Sequence, residues 1–472
     1  MAQSSTPGFK QSLGLLDGTM LVAGSMIGSG IFLVSADITR QVGSSGWLLF
    51  AWLLSGFLTV AAAVSYGELS GMFPKAGGQY VYLREAFSPL LGFLYGWSFF
   101  TVIQTGTIAA VAVAFANYTA YLVPGLDNRI FSLGSFALDG RSLLALGSVA
   151  LLTYINTRGV KEGKFIQTVF TSIKLLSLFG LIVLGVILAA RGSIWHANWT
   201  DAWTMRHWTG TNAGTSGSWT GVLGIVGLGF VSASMVGSLF SSDAWNSVTF
   251  IAGEIRRPER NIGLSLFLGT LIVSIIYILA NLMYVSVLSL NEIAFAPNQR
   301  VAVAVAEKIA GGGGGIIIAV MIMISTFGCN NGLILSGARV YYTMAQDGLF
   351  FKKTGTLNKN GVPAYALWIQ CAWTCLLCLS GSYNALLTYV IFVVLIFYIL
   401  TLIGIFVLRR SRPEAARPYK AFGYPVLPIV YCLLAAVITV CLFIFQTAQT
   451  WPGALIVVSG IPIYYIAVRK RA

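Results

Sequence analysis

The sequence predicts an all-α polytopic membrane protein of twelve transmembrane helices, ten of them forming two inverted sets of five. Three observations predict it. Of 472 residues, 57% are hydrophobic and 9% charged, with mean hydropathy +0.81; a soluble domain needs far more polar surface. Apolar stretches of about 20 residues, the length that crosses a hydrocarbon core, recur along the chain. The first and sixth stretches are interrupted at matching places.

The expected spans run over 14–38, 45–72, 90–123, 142–157, 165–190, 220–253, 262–289, 314–345, 364–381, 384–408, 425–447 and 451–468. Span 1 contains Gly28-Ser29-Gly30 and span 6 contains Ser241-Ser242-Asp243. Each opens a set of five, and because five is odd the sets have opposite orientations, the mark of an inverted repeat with broken helices meeting near the midplane. The expected units are an N-terminal segment 1–13, a first repeat 14–190, a second repeat 220–410, two further helices over 425–468 and a C-terminal tail 469–472. No cleavable signal is expected, since the first apolar stretch continues as a span.

Lysine and arginine set the orientation. With the N-terminus inside, 21 of the 29 lie in cytoplasmic segments and 7 in exterior ones, leaving Lys174 alone within a span. Both termini are therefore expected in the cytoplasm. The net charge of +14 suggests nucleic acid in a soluble protein, but here the charges punctuate apolar runs, so no nucleic acid partner is expected and the bilayer is. The six cysteines all fall in apolar stretches, and Cys371, Cys375 and Cys378 have no histidine or aspartate beside them. Packing is their expected role, with no metal, no cofactor and no disulfide. The sequon at Asn198 lies in an expected exterior loop; the one at Asn117 lies within a span.

An unpaired backbone group in hydrocarbon costs several kcal/mol, so a helix breaks there only where something satisfies its ends. The stretch Gly24-Ser25-Met26-Ile27-Gly28-Ser29-Gly30 is poor helix material. A break frees amides at the start of one half-helix and carbonyls at the end of the other. The amides favour a carboxylate and the carbonyls an ammonium, so two facing breaks make a receptor for a zwitterion, of which an α-amino acid is the obvious case. The glycines also suit close helix packing; the matching break in span 6 favours binding. Asp243 suits an ammonium, a cationic side chain, a proton or a helix N-cap. Lys174 must find acceptors or lose its proton. It either replaces a bound cation by bridging carbonyls and hydroxyls between helices, or couples transport to protons.

At these motifs the chain resembles the amino acid–polyamine–organocation superfamily, and within it the L-type amino acid transporters, over nearly its full length. The matching segments include Gly28-Ser29-Gly30-Ile31-Phe32, Tyr66-Gly67-Glu68-Leu69, Phe73-Pro74-Lys75-Ala76-Gly77-Gly78-Gln79-Tyr80, Asn156-Thr157-Arg158-Gly159, Asp243-Ala244-Trp245-Asn246 and Ala338-Arg339-Val340-Tyr341-Tyr342. The resemblance implies a LeuT-like 5+5 fold with discontinuous helices 1 and 6. It implies a substrate site over Met26, Ile27, Gly28, Ser29, Gly30, Phe240, Ser241, Asp243 and Tyr277. Amides around Ser29 and Gly30 would hold the carboxylate. Carbonyls of Met26, Phe240 and Asp243 would take the ammonium, and Phe240 would cover the site from outside. Tyr277 falls where the family has a tyrosine near the site, and equally suits packing. Lys174 matches the span-5 lysine of sodium-independent members. Gly77 to Tyr80 either shapes an inner gate or simply turns the chain. The exterior loop Pro124–Arg141 lacks the cysteine with which animal members hold a glycoprotein, so no disulfide-linked heavy subunit is expected.

The expected function is sodium-independent exchange of small neutral L-amino acids, with cationic ones admitted in one reading of Asp243, across the cell membrane. Proton-coupled symport and non-transporting sensing remain alternatives. An enzyme is not expected, because no cluster of His, Asp and Glu lies near the midplane to activate water or hold a metal.

Overall fold

The computed structural model describes residues 11–126, 128–133, 136–210, 216–380 and 383–469; of the expected terminal segments 1–13 and 469–472, residues 1–10 and 470–472 lie outside the described residues. Helix α1 (Leu15–Met26) stops in the glycine-rich segment, and α2 (Gly30–Val42) restarts at an angle of 41° to it. Helices α3 (Ser45–Met72) and α4 (Gln79–Ala86) follow. Next, α5 (Pro89–Ser98) runs through a π-helical turn at Phe99–Ile103 into α6 (Gln104–Leu122). A hairpin of β1 (Arg129–Leu133) and β2 (Phe136–Asp139) leads to α7 (Gly140–Arg158) and α8 (Val160–Leu184). After α9 (Gly192–Thr200), a second hairpin pairs β3 (Arg206–Gly210) with β4 (Gly217–Gly221). Helix α10 (Ile225–Ser241) then ends in a non-helical stretch before the short α11 (Ser247–Phe250). The remainder is α12 (Pro258–Val287), α13 (Leu290–Ala294), α14 (Val301–Gln346), α15 (Ala364–Ser380), α16 (Tyr383–Ser411), α17 (Val426–Phe445) and α18 (Thr447–Arg469).

Local chemistry explains the ends. Pro258 and Pro89 occupy first helical positions, where the missing N–H costs nothing. Asp139 caps α7 by accepting the Ser142 amide at 2.8 Å. Ser289 and Glu292 form a capping box on α13, and Gly43 ends α2 with φ 58°.

Among the described residues, seven helical runs are long and apolar enough to cross a membrane, and the bent pair α1–α2 makes an eighth; α10 and α15 are shorter apolar helices. This is a multi-pass helical membrane protein. Helix α12 packs along α3, α14 along α6 and α8, α1 against α12, α8 and α14, and α10 against α2, α3 and α16.

Three details depart from the expected spans. The two hairpins qualify an all-α reading, and β4 occupies the expected start of span 6, so α10 begins only at Ile225. Trp208 and Trp219 face each other across β3 and β4 with ring centroids 5.4 Å apart, a cross-strand aromatic pair that stabilises the ladder. The residues before span 8 are helical from Val301, with the chain turning at Ala310 and Gly311 before the span proper. Asn198, expected in a surface loop, is buried in α9. Its amide donates to the Val285 and Leu288 carbonyls at 2.8 and 2.9 Å. Its carbonyl accepts the Leu290 amide at 3.2 Å. The side-chain nitrogen that would carry a glycan instead ties α9 to the end of α12.

Candidate functional site

The first break occupies Ile27, Gly28 and Ser29 between α1 and α2, all deeply buried. Lys174, on α8 and 1% exposed, reaches it: its ammonium donates to the carbonyls of Gly24 at 2.6 Å, Ile27 at 2.8 Å and Ser325 at 3.3 Å. The Ser325 hydroxyl, on α14, also donates to the Ile27 carbonyl at 3.2 Å. Three helices are thus joined through one side chain. An ammonium has three donors, and each finds a carbonyl. Gly24 makes the approach of α8 feasible, since a Cβ there would lie 2.2 Å from both Gln167 Nε2 and Thr171 Oγ1.

The second break runs from Ser242 to Asn246. Ala244 within it takes φ 63°, the left-handed region that costs a non-glycine residue roughly 1 kcal/mol or more. The two breaks touch. A Cβ on Gly30 would lie 2.7 Å from Ser241 Cβ and 3.1 Å from Ser241 Cα, so only glycine permits this contact. Helix α12 spans both breaks with one face. The Tyr277 hydroxyl stands 3.1 Å from the Met26 carbonyl and 3.0 Å from that of Ser241. Asn281, one turn on, accepts the Ser35 hydroxyl at 2.7 Å, and Tyr284 donates to the Ile31 carbonyl at 3.2 Å.

Carbonyls expected to wait for an ammonium are therefore engaged within the chain. That of Met26 accepts the Gly28 amide at 2.8 Å as well as Tyr277, and that of Phe240 accepts the Asp243 amide at 3.2 Å. Each keeps a second lone pair direction or a replaceable partner, and in hydrocarbon bare carbonyls would be costly.

Asp243 turns away from the first break. Its carboxylate accepts the Tyr398 hydroxyl of α16 at 2.6 Å. It lines a cavity of about 10 Å³, the room one water needs. Polar groups of Gln79, Gln104, Thr107 and Asn246 share that cavity with Phe99 and Ile103 of the π-helical turn. Of the expected site residues, Asp243 alone lines it. Phe240 is buried in the last turn of α10. The structure thus brings Met26, Ile27, Gly30, Ser241, Tyr277 and Lys174 together at the contact between breaks, with Asp243 on the adjoining cavity.

The sequence reading missed Tyr398, Ser325 and Gln104 as neighbours of these groups. Gln104 carried a signal, being an amide within an apolar run; it donates to the Leu333 carbonyl at 2.6 Å. Tyrosines and serines are too common in spans to stand out. Among the described residues, no three His, Cys, Asp or Glu side chains converge as metal ligands.

Comparison with known proteins agrees over the whole length. The human large neutral amino acids transporter small subunit 2 is 29% identical over 460 residues, covering 97% of this chain and 81% of the relative. The mouse Asc-type amino acid transporter 1 is 29% identical over 464 residues, covering 98% and 82%. The mouse b(0,+)-type amino acid transporter 1 is 26% identical over 466 residues, covering 98% and 89%. A family model described as amino acid permease matches residues 13–468. With two broken helices in contact and a match along nearly its entire length, the chain belongs to the amino acid permease family.

Proposed function

We propose that this protein is a sodium-independent amino acid transporter of the cell membrane, exchanging small neutral L-amino acids by alternating access. The observation that carries the proposal is the Lys174 ammonium held by the carbonyls of Gly24, Ile27 and Ser325. A fixed cation there joins the first break to α8 and α14, the work a bound metal cation would otherwise do. The relatives, named as amino acid transporters, support the substrate class.

The architecture belonging to this reading has twelve crossings, two inverted sets of five and both termini in the cytoplasm. Packing related by exchange of the two sets supports it: α1 lies on α12 as α10 lies on α3, and α1 on α8 as α10 on α16. The substrate carboxylate meets the first-turn amides of α2, and its ammonium competes with Tyr277 for the carbonyls of Met26 and Ser241. Movement of α1 and α10 about this contact opens the two sides in turn. The loop between α6 and α7 has no cysteine, so the chain works without a disulfide-linked heavy subunit.

Proteoliposomes test it. Labelled amino acid enters vesicles preloaded with unlabelled amino acid, and enters equally whether the salt is sodium or choline chloride. Equal entry into empty vesicles removes exchange, and no entry under any loading leaves a sensor. The buried Asp243–Tyr398 pair favours proton-coupled symport as the second reading; acceleration by an inward proton gradient would establish it in place of exchange.

A further inference from the structure

On the side of the bundle where α12 begins and α16 ends, a groove of about 770 Å³ opens between α3, the first turns of α12 and the segment after α16. Its walls are apolar: Val64, Leu264, Phe267 and Phe422 line it. Its mouth is basic, with Arg260 and Lys420 in the lining and Arg256 and Arg257 exposed just before α12. One carboxylate, Glu259, shares the rim.

The groove is built rather than incidental. Glu68, buried on α3, accepts Arg409 at 2.9 and 2.7 Å and the Ala421 amide at 2.8 Å, and pairs with Arg417 at 3.4 Å. Tyr419 packs on Gly67, where a Cβ would lie 2.8 Å from its ring. These contacts fix the backbone on either side of Lys420 and leave its side chain exposed at the rim, beside Phe422 at 74% exposure.

Apolar walls facing the hydrocarbon, ended by cations in excess of the one carboxylate at the depth where a helix begins, match a lipid whose tail is apolar and whose headgroup carries net negative charge. A zwitterionic lipid offers the same tail without the net charge. We infer that this groove binds an anionic phospholipid of the leaflet on that side, its phosphate against Arg260 and Lys420 and an acyl chain along Leu264, Phe267 and Phe422. Glu259 opposes the phosphate but accepts hydroxyls, which suits a glycerol headgroup. The inference is independent of transport, exchange and orientation, because it concerns only the face described.

Native mass spectrometry of the delipidated full chain in detergent tests it with dioleoyl phosphatidylglycerol, dioleoyl phosphatidylcholine and glycerol 3-phosphate. The wild type is expected to retain phosphatidylglycerol over phosphatidylcholine by at least roughly fivefold, the ratio one basic side chain near an anionic surface confers. Glycerol 3-phosphate should not displace it. The double variant Arg260→Gln/Lys420→Gln should retain the two lipids equally, while Lys352→Gln/Lys359→Gln, an equal loss of charge elsewhere, should behave as wild type. Equal retention of both lipids by the wild type overturns the site, as does an unchanged preference in the first variant or an equal loss in the second. Displacement by glycerol 3-phosphate would reduce it to a site for free phosphate esters. Melting without added lipid checks that the variants fold; should the double variant not fold, the wild-type selectivity and Lys420→Gln alone decide.

Discussion

Lys174 donates a 2.8 Å hydrogen bond to the carbonyl of Ile27, the first residue past the end of α1. The same ammonium holds Gly24 and Ser325. Replacing it with Met keeps an unbranched side chain one atom shorter and removes all three donors. A buried carbonyl left without a partner costs about 1–3 kcal/mol; the Ile27 carbonyl keeps the Ser325 hydroxyl and Ser325 lies within α14, so Lys174→Met is expected to lower stability by about 1–3 kcal/mol and to abolish exchange. Thermal melting and proteoliposome uptake measure the two effects. Uptake at the wild-type rate in the variant would show that the ammonium is not needed for the transport cycle.

Tyr277 has one hydroxyl proton and two carbonyls within reach, those of Met26 and Ser241. It serves one at a time, and the ends of α1 and α10 are held by the same group. Tyr277→Phe is expected to cost about 1–2 kcal/mol of stability, one buried hydrogen bond, while strengthening substrate affinity by up to about tenfold, since the hydroxyl that competes for the two carbonyls is gone. Ligand-induced thermal shift measures affinity separately from basal melting. A fall in basal stability with unchanged affinity would make the tyrosine a packing residue only.

Legibility in the sequence followed the strength of the physical signal. The break at Ile27–Ser29 was readable because glycine and serine weaken a helix in a place where nothing else excuses them. The break at Ser242–Asn246 was readable because a carboxylate at 243 is expensive in lipid. The partner of Lys174 was legible in kind, carbonyls of a broken helix, but the sequence could not say that Ser325 of α14 supplies one. Asp243 facing Tyr398 was not legible, since a tyrosine among apolar residues in a span has several ordinary roles. The expected span 6 begins at 220, before α10, because Val222 and Leu223 are apolar enough to extend a span; the pairing of Trp219 with Trp208 across a hairpin is a non-local event. Asn198 read as a loop residue because its three partners lie 87 to 92 positions away.

Asn198 makes three hydrogen bonds to main-chain groups at the end of α12. Asn198→Ala removes all of them from a residue 5% exposed, and a loss of about 2–4 kcal/mol follows from buried groups left unpaired. Expression in a glycosylating host should leave the electrophoretic mobility unchanged by glycosidase treatment. A glycan on Asn198 would contradict the burial of its amide.

Glu85 lies on α4, outside the spans. Burial pushes its carboxyl up, but hydrogen bonds from Arg84 and Arg412 outweigh this and hold it below the ordinary glutamate value. A depressed carboxylate contributes stability that is complete above its unfolded value, about 4.3, and is lost as pH falls through the folded one. The Arg84–Glu85–Arg412 contacts, at 3.0 and 3.1 Å, are therefore unchanged between pH 5 and 8. Glu85→Gln is expected to leave the shape of the exchange-versus-pH curve over that range identical to wild type. A variant curve of different shape would place a titrating group in this cluster.

Asp243 and Tyr398 separate the two transport readings. In exchange, the 2.6 Å bond between them positions α10 against α16, and the charge itself does no work. Asp243→Asn keeps an oxygen that accepts the Tyr398 hydroxyl and removes the charge; Tyr398→Phe keeps the charge and takes away one of its donors. Depriving a buried charged group of a hydrogen bond costs more than neutralising it in place, about 1.5–3 kcal/mol for a bond to a charged group against about 1 for a neutral one. Exchange therefore predicts that Tyr398→Phe lowers the melting temperature and the exchange rate more than Asp243→Asn does. In proton coupling the order reverses, because an amide cannot carry the proton while the phenylalanine variant retains the carboxylate that does. Measuring exchange of a neutral amino acid in both variants, at one pH and with no gradient, gives the ranking directly; a nearly inactive Asp243→Asn beside an active Tyr398→Phe would move the assignment from exchange to proton coupling.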